Sequence, residues 1–204
     1  IGVSALLLYG QIRQAISIKT KAIAQPLIST EAVDIPIEKN DAAFGNPGAP
    51  LTLVEFVDLG SDKAQKTHSE LYEFVSKNPR DARLIWKDAP NSNIFSYNAT
   101  LAHKAAFCAG DQNKFWQFVD EILKSKANLR EAGLNNISSR LKLDSTKLWE
   151  CVNSTAAEAK INFSKNLMRS LGIKSSPALF VNNRKINLEE KIDLKQMLNT
   201  FIEK

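Results

Sequence analysis

Few side chains in this 204-residue sequence carry sulfur or imidazole, the groups that most often perform redox, acid–base or metal chemistry. The two cysteines, Cys108 and Cys151, stand 43 positions apart, so neighbouring residues supply neither a Cys-x-x-Cys redox motif nor half of a zinc site. The two histidines, His68 and His103, lack the spacing of metal ligands. We therefore expect no metal site and no cofactor.

A different kind of site is indicated where the segment VEFVDLGSDKAQKTH (54–68) passes from a buried strand into a helix. Ser61, Asp62, Lys63 and Ala64 stand at this junction. Ser61 is predicted to cap the helix, and Asp62 suits the positive end of the helix dipole. Ser61 would act as a hydrolytic nucleophile only beside a base, and the sequence offers no suitable histidine.

Two predicted strands flank this helix and would hold the junction in place. Leu51–Asp58 is β-branched and aromatic with few polar residues, which favours a central strand covered on both faces. Arg83–Lys87 is the second strand, so the order strand–helix–strand predicts a parallel pair with a right-handed crossover. Helices are then predicted from apolar residues at helical spacing over Ala99–Gly110, Asn113–Ser125, Leu129–Gly133 and Ser145–Leu171.

The chain is predicted to return to strands near its end. Ala178–Val181 and Arg184–Ile186 form an antiparallel hairpin in this interpretation. Asn182 and Asn183 make its turn, because asparagine tolerates positive φ. A final amphipathic helix is predicted over Glu189–Glu203.

The order of these elements predicts an α/β fold of the thioredoxin type that carries a helical insertion. Residues 51–90 and 172–204 form the thioredoxin-like domain, and residues 91–171 form the insertion. Residues 26–50, with several prolines and glycines among polar residues, are predicted to be an extended linker. Residues 1–25 are predicted to form an N-terminal helix.

The N-terminal residues and the overall charge bear on the partners of the chain. The first ten residues, IGVSALLLYG, are too few to cross a hydrocarbon core, which needs about 20. We expect them to be the end of a membrane anchor or signal segment, and an ordinary amphipathic helix is the alternative. The net charge of +5 is spread along the chain without a basic stripe interleaved with aromatics, so no nucleic-acid partner is expected.

Several blocks of the sequence resemble, in the same order, the DsbA-type thiol oxidoreductases of the thioredoxin superfamily. The blocks are DAAFGNPGAPLTLVEFVD, RLIWKDAP, AAFCAGDQNKFWQFVDEIL, LWECVNS and GIKSSPALFVNNRKI. The resemblance covers roughly residues 41–204, and it puts the two positions of the family's Cys-x-x-Cys pair on Ser61 and Ala64. Disulfide exchange requires a thiolate, which neither a hydroxyl nor a methyl group replaces.

The resemblance also implies roles for residues around this position. Glu55 is similar to a buried acid that moves protons at the family's cysteines, and here we expect it to keep a hydrogen-bond partner, such as Lys63 or Lys87, or a water molecule. Ser176 and Pro177 match the loop in which a residue precedes a cis-proline beside the active site. That loop either pairs with an extended peptide by strand addition or serves only to fix the sheet.

Cys108 and Cys151 match positions where members of the family often carry another cysteine pair. The resemblance implies a structural disulfide between two helices of the insertion. Such a bond would contribute about 4 kcal/mol in the chain-entropy model. Two buried free thiols are the alternative in a reducing compartment.

These observations predict a DsbA-like protein without redox activity that binds a protein or an extended peptide. It would act as a chaperone or as a fixed subunit of an assembly in the periplasm or cell envelope, with membrane anchoring through the N-terminal segment. The alternative from the enzyme class is a thiol–disulfide redox protein that uses Cys108 and Cys151. A third hypothesis is a structural partner whose groove is blocked.

Overall fold

The computed structural model describes residues 28–90, 97–125, 129–188 and 192–202. The predicted N-terminal helix, residues 1–25, lies outside these ranges. The described elements are β1 (Ile28–Ala32), β2 (Ala43–Gly45), β3 (Leu51–Val57), α1 (Ala64–Lys77), β4 (Ala82–Asp88), α2 (Tyr97–Gly110), α3 (Phe115–Ser125), α4 (Glu131–Arg140), α5 (Ser145–Val152), α6 (Thr155–Ser170), β5 (Ala178–Val181), β6 (Arg184–Ile186) and α7 (Leu194–Asn199). Among the helices in these ranges, none has the length and apolar character needed to span a membrane.

The strands form one mixed sheet in the order β1-β6-β5-β3-β4-β2. Strands β3 and β4 are parallel, with α1 crossing between them, and β3 pairs antiparallel with β5 on its other side. Every residue of β3 except Thr52 is buried. A strand that is apolar on both faces therefore lies at the centre of the sheet, as the sequence predicted.

The prediction that residues 26–50 are an extended linker is wrong for residues 28–50, which the structure describes. Strand β1 pairs antiparallel with β6, and β2 pairs antiparallel with β4, so both edges of the sheet come from this stretch. Both edge strands are short and largely exposed. Because they contain polar residues and lie near prolines, the sequence pattern does not identify them as strands.

Helices α2 to α6 form the insertion between β4 and β5. The single helix predicted over Ser145–Leu171 is wrong, because the structure divides it into α5 and α6 at Asn153 and Ser154. The Ser154 hydroxyl accepts a hydrogen bond from the Ala157 N–H and so caps α6. Asn and Ser favour caps over helix interiors, which is why the break occurs here.

Two further helices differ from their predicted boundaries. The helix predicted over Leu129–Gly133 is α4, which begins at Glu131 and continues to Arg140. The last helix begins at Leu194 and not at Glu189, because the Asp193 carboxylate accepts a hydrogen bond from the Gln196 N–H and caps it there.

The β5–β6 hairpin is confirmed. Asn182 and Asn183 make its turn with φ values of 45° and 67°. The Asn182 side chain also accepts a hydrogen bond from the Thr52 N–H at 2.8 Å, which ties the hairpin to the start of β3. This register pairs Phe56 of β3 with Ala178 of β5. The residues that precede β5 therefore lie beside the carboxyl end of β3.

Buried apolar residues fill both faces of the sheet and the interior of the insertion. One cluster packs α1 and α7 against one face of the sheet, and a second packs the end of α6 against the other face. A third fills the insertion and reaches the sheet through Val57 and Trp86 and the turn after β3 through Leu59. The insertion is thus packed directly onto the β3–α1 junction.

Candidate functional site

The turn from β3 into α1 is built by backbone hydrogen bonds. The Ser61 N–H donates to the Asp58 carbonyl at 2.9 Å, and the Ala64 N–H donates to the Ser61 carbonyl at 3.1 Å. Lys63 precedes the helix, and no side chain caps it, so the prediction that Ser61 caps α1 is wrong. The Ser61 carbonyl, not its hydroxyl, supports the first turn.

The two positions that the resemblance assigns to a dithiol differ in exposure. Ser61 is half-buried, while Ala64 is completely buried beneath the insertion. Asp62 and Lys63, between them, are exposed. The start of α1 therefore presents one hydroxyl and no sulfur to its surroundings.

Ser61 has no base within the part of the chain that the structure describes. The ring nitrogens of His68 and His103 hydrogen-bond to other groups, and neither bonds to the Ser61 hydroxyl. A serine nucleophile needs such a base to become reactive at neutral pH. Neither histidine is therefore placed to activate the Ser61 hydroxyl.

Glu55 is paired with His68, and the prediction that its partner is Lys63 or Lys87 is wrong. Glu55 Oε1 lies 2.6 Å from His68 Nδ1, and both side chains are buried. No described residue hydrogen-bonds to the second carboxylate oxygen, Oε2. The sequence did not predict this pair because the two residues lie 13 positions apart and meet only when α1 packs on β3.

The surroundings of His68 favour its charged form. The imidazole lies parallel to the Trp116 indole, with ring centroids 5.9 Å apart. Burial by itself would lower the pKa of His68, but the nearby charge of Glu55 and its hydrogen bond raise that pKa above the ordinary value of 6.5. Glu55 and His68 therefore form a buried hydrogen-bonded pair beneath the start of α1.

A second buried histidine holds the loop after β3. His103 Nε2 accepts a hydrogen bond from the Leu59 N–H at 3.1 Å, so its proton is on Nδ1, which donates to Asp88 at 2.8 Å. Burial would raise the pKa of Asp88, but hydrogen bonds from His103 and Trp86 lower it. The pair fixes Leu59, two residues before Ser61.

Asp41 is the centre of a buried charge cluster that the sequence did not reveal. Its two carboxylate oxygens each accept a hydrogen bond at 2.5 Å, one from Lys87 and one from Lys160. Lys87 also donates to the Pro36 carbonyl at 2.6 Å. The cluster joins the stretch before β2, strand β4 and helix α6, and so positions α6 over the sheet.

The loop that contains Ser176 and Pro177 lies directly against the β3–α1 turn. The peptide bond between these two residues is cis, as the resemblance implied. The Ser176 hydroxyl accepts a hydrogen bond from the Asp58 N–H at 2.6 Å and donates to the Phe56 carbonyl at 3.3 Å. Both residues are half-buried, and Ser176 lines a groove.

This groove separates the β3–α1 turn from α6 and the loop after it, and its volume is about 500 Å³. One side is formed by Asp58, Gly60 and Ser61, and residues 165–176 contribute to the other. The groove therefore connects the two sites that the sequence singled out, Ser61 and Ser176. Among the described residues, it is open to the surface.

The disulfide between Cys108 and Cys151 is confirmed, with an S–S distance of 2.01 Å. It joins α2 to α5 within the insertion. Cys108 is buried and Cys151 is half-buried. Within the described ranges no free cysteine occurs, and no three His, Cys, Asp or Glu side chains come close enough to hold a metal ion.

The sheet with helices inserted between β4 and β5, and with a cis-proline loop beside the start of α1, is the thioredoxin-like fold in its DsbA-type form. A model of the thioredoxin family matches residues 38–203. The chain belongs to that family. The match begins before β2, which agrees with the finding that this stretch is part of the sheet.

Solved structures of the same fold come from several bacteria. A thioredoxin-like oxidoreductase from Silicibacter pomeroyi DSS-3 superposes with a TM-score of 0.71 at 22% identity, over 81% of this chain and 91% of that one. α-DsbA1 of Wolbachia pipientis superposes with a TM-score of 0.68 at 19% identity, over 82% of this chain and 92% of that one. A periplasmic thioredoxin-like protein from Salmonella enterica serovar Typhimurium superposes with a TM-score of 0.67 at 17% identity, over 80% of this chain and 88% of that one. At these identities the likeness is one of fold.

Curated relatives are much longer than this chain. It is 27% identical over 152 residues to the Na(+)/H(+) antiporter NhaA 1 of Salinispora arenicola and 26% identical to NhaA 3 of Salinispora tropica. The match covers 74% of this chain and 23% of each antiporter. The chain therefore corresponds to less than a quarter of those proteins.

Proposed function

We propose that this chain is a DsbA-like module that lacks thiol–disulfide exchange and binds extended polypeptide in the groove between Ser61 and Ser176. One observation carries the proposal: the groove is open beside a helix start that holds Ser61 and Ala64 in the dithiol positions. A site of this kind retains a binding surface next to a position that cannot transfer electrons.

The loss of exchange follows from the chemistry of the replaced groups. A disulfide is opened by a thiolate, which the positive end of a helix stabilises, and the mixed disulfide is released by a second thiol. The Ser61 hydroxyl is far less acidic than a thiol and forms no disulfide, and the buried Ala64 methyl has no reactive atom. The start of α1 is therefore retained, but it has no thiol that the helix could activate.

The groove suits an extended chain. Apolar atoms of Ala89, Met168 and Ile173 contribute to its lining. Among the described residues, the backbone groups of Lys174 and Ser175 make no hydrogen bond, so they are available to pair with a peptide by strand addition. Backbone pairing with an apolar contact gives affinity for unfolded or linear segments.

The compartment and the assembly are part of the proposal. The Cys108–Cys151 disulfide favours an oxidising compartment such as the periplasm, the place named for the Salmonella relative. The curated relatives are membrane antiporters of which this chain matches a fraction, which supports a membrane-associated assembly. The bound polypeptide would then be a segment of that assembly or a protein near it.

Redox chemistry at Cys108 and Cys151 is the competing function. A catalytic cysteine is exposed and has a lowered pKa, whereas Cys108 is 1% exposed within the core of the insertion. Access by a substrate thiol would require the insertion to open. The disulfide is better suited to joining α2 and α5.

Binding of extended peptides tests the proposal. A permanently unfolded, fluorescently labelled peptide pool would be titrated with the protein, and we expect saturable binding. The Ser175→Trp variant fills the groove and should abolish that binding, while Ser139→Trp, on the exposed face of α4 and away from the groove, should not. Binding that Ser175→Trp leaves unchanged would place the polypeptide elsewhere and refute the proposed site.

A further inference from the structure

We infer that the groove selects acidic polypeptide segments, in which aspartate or glutamate alternates with apolar residues. The inference rests on the proposed function, because it assigns a substrate class to the same groove. It comes from the charges on one wall of the groove, which are independent of the missing thiols.

Three basic side chains line the wall that α6 and the following loop form. Lys165 and Arg169 are one helical turn apart on α6, so they share one face, and Lys174 follows in the loop that leads to Ser176. Arg169 and Lys174 are exposed, and Lys165 is half-buried. The wall thus carries three positive charges, and that of Lys165 also acts on Glu158 of the same helix.

These charges are not neutralised across the groove. Among the described residues that line it, the only acid is Asp58, which is 7% exposed. Its Oδ1 atom accepts the Gly60 N–H at 2.9 Å and lies 4.0 Å from His103 Nε2, so this oxygen has contacts away from the basic wall. Arg169 donates to the neutral Asn166 side chain, which leaves its charge available.

An extended acidic peptide matches this distribution of groups. Side chains of a strand alternate between its two faces, so apolar residues can contact Met168 and Ile173 while every second residue points to the basic wall. Arg169 can bind a carboxylate through two parallel hydrogen bonds. A backbone paired with the Lys174–Ser175 loop would hold the peptide in that orientation.

The lining distinguishes a peptide from a nucleic acid of the same charge. Proteins that bind single-stranded nucleic acid stack bases on aromatic side chains. Within the described part of the chain, no aromatic residue lines this groove. The apolar part of the lining is aliphatic, which suits the side chains of valine, leucine or isoleucine.

The test compares three labelled peptides of one length by fluorescence anisotropy: alternating Asp/Val, Gln/Val and Lys/Val. An oligothymidylate of the same charge as the acidic peptide is the fourth probe. We expect the acidic peptide to bind about tenfold more tightly than the Gln/Val peptide at low salt, because it can form three exposed charge pairs with the basic wall. This preference should largely disappear at about 0.5 M salt because the charges are exposed.

Two triple variants with the same change in net charge locate the effect. Lys165→Gln, Arg169→Gln and Lys174→Gln should reduce the preference for the acidic peptide to less than about twofold. The control combines Lys66→Gln, Lys77→Gln and Lys147→Gln at exposed lysines outside the groove and should keep the preference. Equal loss in both variants would show a general charge effect and refute the inference.

The remaining outcomes separate this inference from the proposed function. If the Gln/Val and Asp/Val peptides bind equally well, the selectivity is refuted and the peptide-binding function stands. If no peptide binds, both are refuted. If the oligothymidylate binds as tightly as the acidic peptide, the groove recognises polyanions in general, and the assignment to polypeptide is wrong.

Discussion

The backbone N–H of Asp58 donates a 2.6 Å hydrogen bond to the hydroxyl of Ser176, a residue 118 positions away in the sequence. This bond joins the two walls of the groove, because Asp58 ends the strand that precedes α1 and Ser176 ends the loop that precedes β5. Together with the β3–β5 pairing of Phe56 and Ala178, this bond holds the two walls at a fixed distance. A fixed width favours binding, since the groove does not have to be ordered when a peptide arrives.

Replacing Ser176 tests this relationship. The Ser176→Ala variant leaves the partly buried Asp58 N–H without its acceptor, and we expect a loss of about 1–3 kcal/mol in the free energy of unfolding. Peptide affinity should fall as well, because one of the contacts that hold the two walls together is lost. Urea unfolding and anisotropy measure the two effects. Ser175→Ala, at an exposed neighbour whose hydroxyl makes no hydrogen bond within the described residues, should change stability little.

The disulfide is predicted to stabilise the fold without contributing to binding. Cys108→Ala combined with Cys151→Ala removes a crosslink that spans 43 positions, and we expect the free energy of unfolding to fall by about 4 kcal/mol. Peptide affinity, measured where the variant is folded, should be unchanged. A stability loss below about 1 kcal/mol would contradict the structural role.

The Glu55–His68 pair predicts a specific dependence of stability on pH. The folded-state pKa of His68 is raised above 6.5, so the pair's contribution is complete below pH 6.5 and is lost as pH rises through the folded-state pKa. Glu55→Gln removes the charge that raises this pKa and keeps the side-chain volume. The destabilisation caused by Glu55→Gln should therefore be larger at pH 6 than at pH 9.

Urea unfolding of the wild type and of Glu55→Gln at both pH values measures this difference, and all other titrating groups cancel in the comparison. His68→Gln is the matched variant at the other partner and should reduce the same pH dependence. A destabilisation by Glu55→Gln that is larger at pH 9 than at pH 6 would show that the two residues do not form an ion pair.

The buried cluster around Asp41 is predicted to be the most sensitive charged position in the described structure. Asp41→Asn leaves the Lys87 and Lys160 ammonium groups buried without a counter-ion, and we expect a loss of about 3–5 kcal/mol. Glu73→Gln is the control, because Glu73 also pairs with two lysines, Lys77 and Lys195, but is exposed. Equal effects of the two substitutions would contradict the buried role of Asp41.

Local sequence patterns were enough to predict the central elements of the fold. Strand β3 is mostly apolar, and the hairpin contains two asparagines that tolerate positive φ, so both features are determined by neighbouring residues. The edge strands β1 and β2 were not found because their pairing with β6 and β4 depends on distant residues. The cis bond at Pro177 and the disulfide came from the family resemblance.

The buried charges could not be predicted from the sequence. Asp41 bonds to Lys87 and Lys160, which are 46 and 119 positions away, and nothing in its local sequence distinguishes it from an exposed aspartate. His103 appeared to be an isolated histidine, yet it fixes Leu59, 44 positions earlier. These hydrogen bonds of Asp41 and His103 can be identified only when the packing of the insertion onto the sheet is known.

The start of α1 is proposed to hold a binding surface that does not transfer electrons. Catalysis of insulin reduction by dithiothreitol tests the absence of electron transfer most directly. We expect neither the wild type nor the variant without Cys108 and Cys151 to accelerate the reaction. Ser61→Cys combined with Ala64→Cys, which restores a dithiol at the helix end, should accelerate it and so serves as the positive control. Acceleration by the wild-type protein that disappears when Cys108 and Cys151 are replaced would contradict the account and establish the chain as a redox protein.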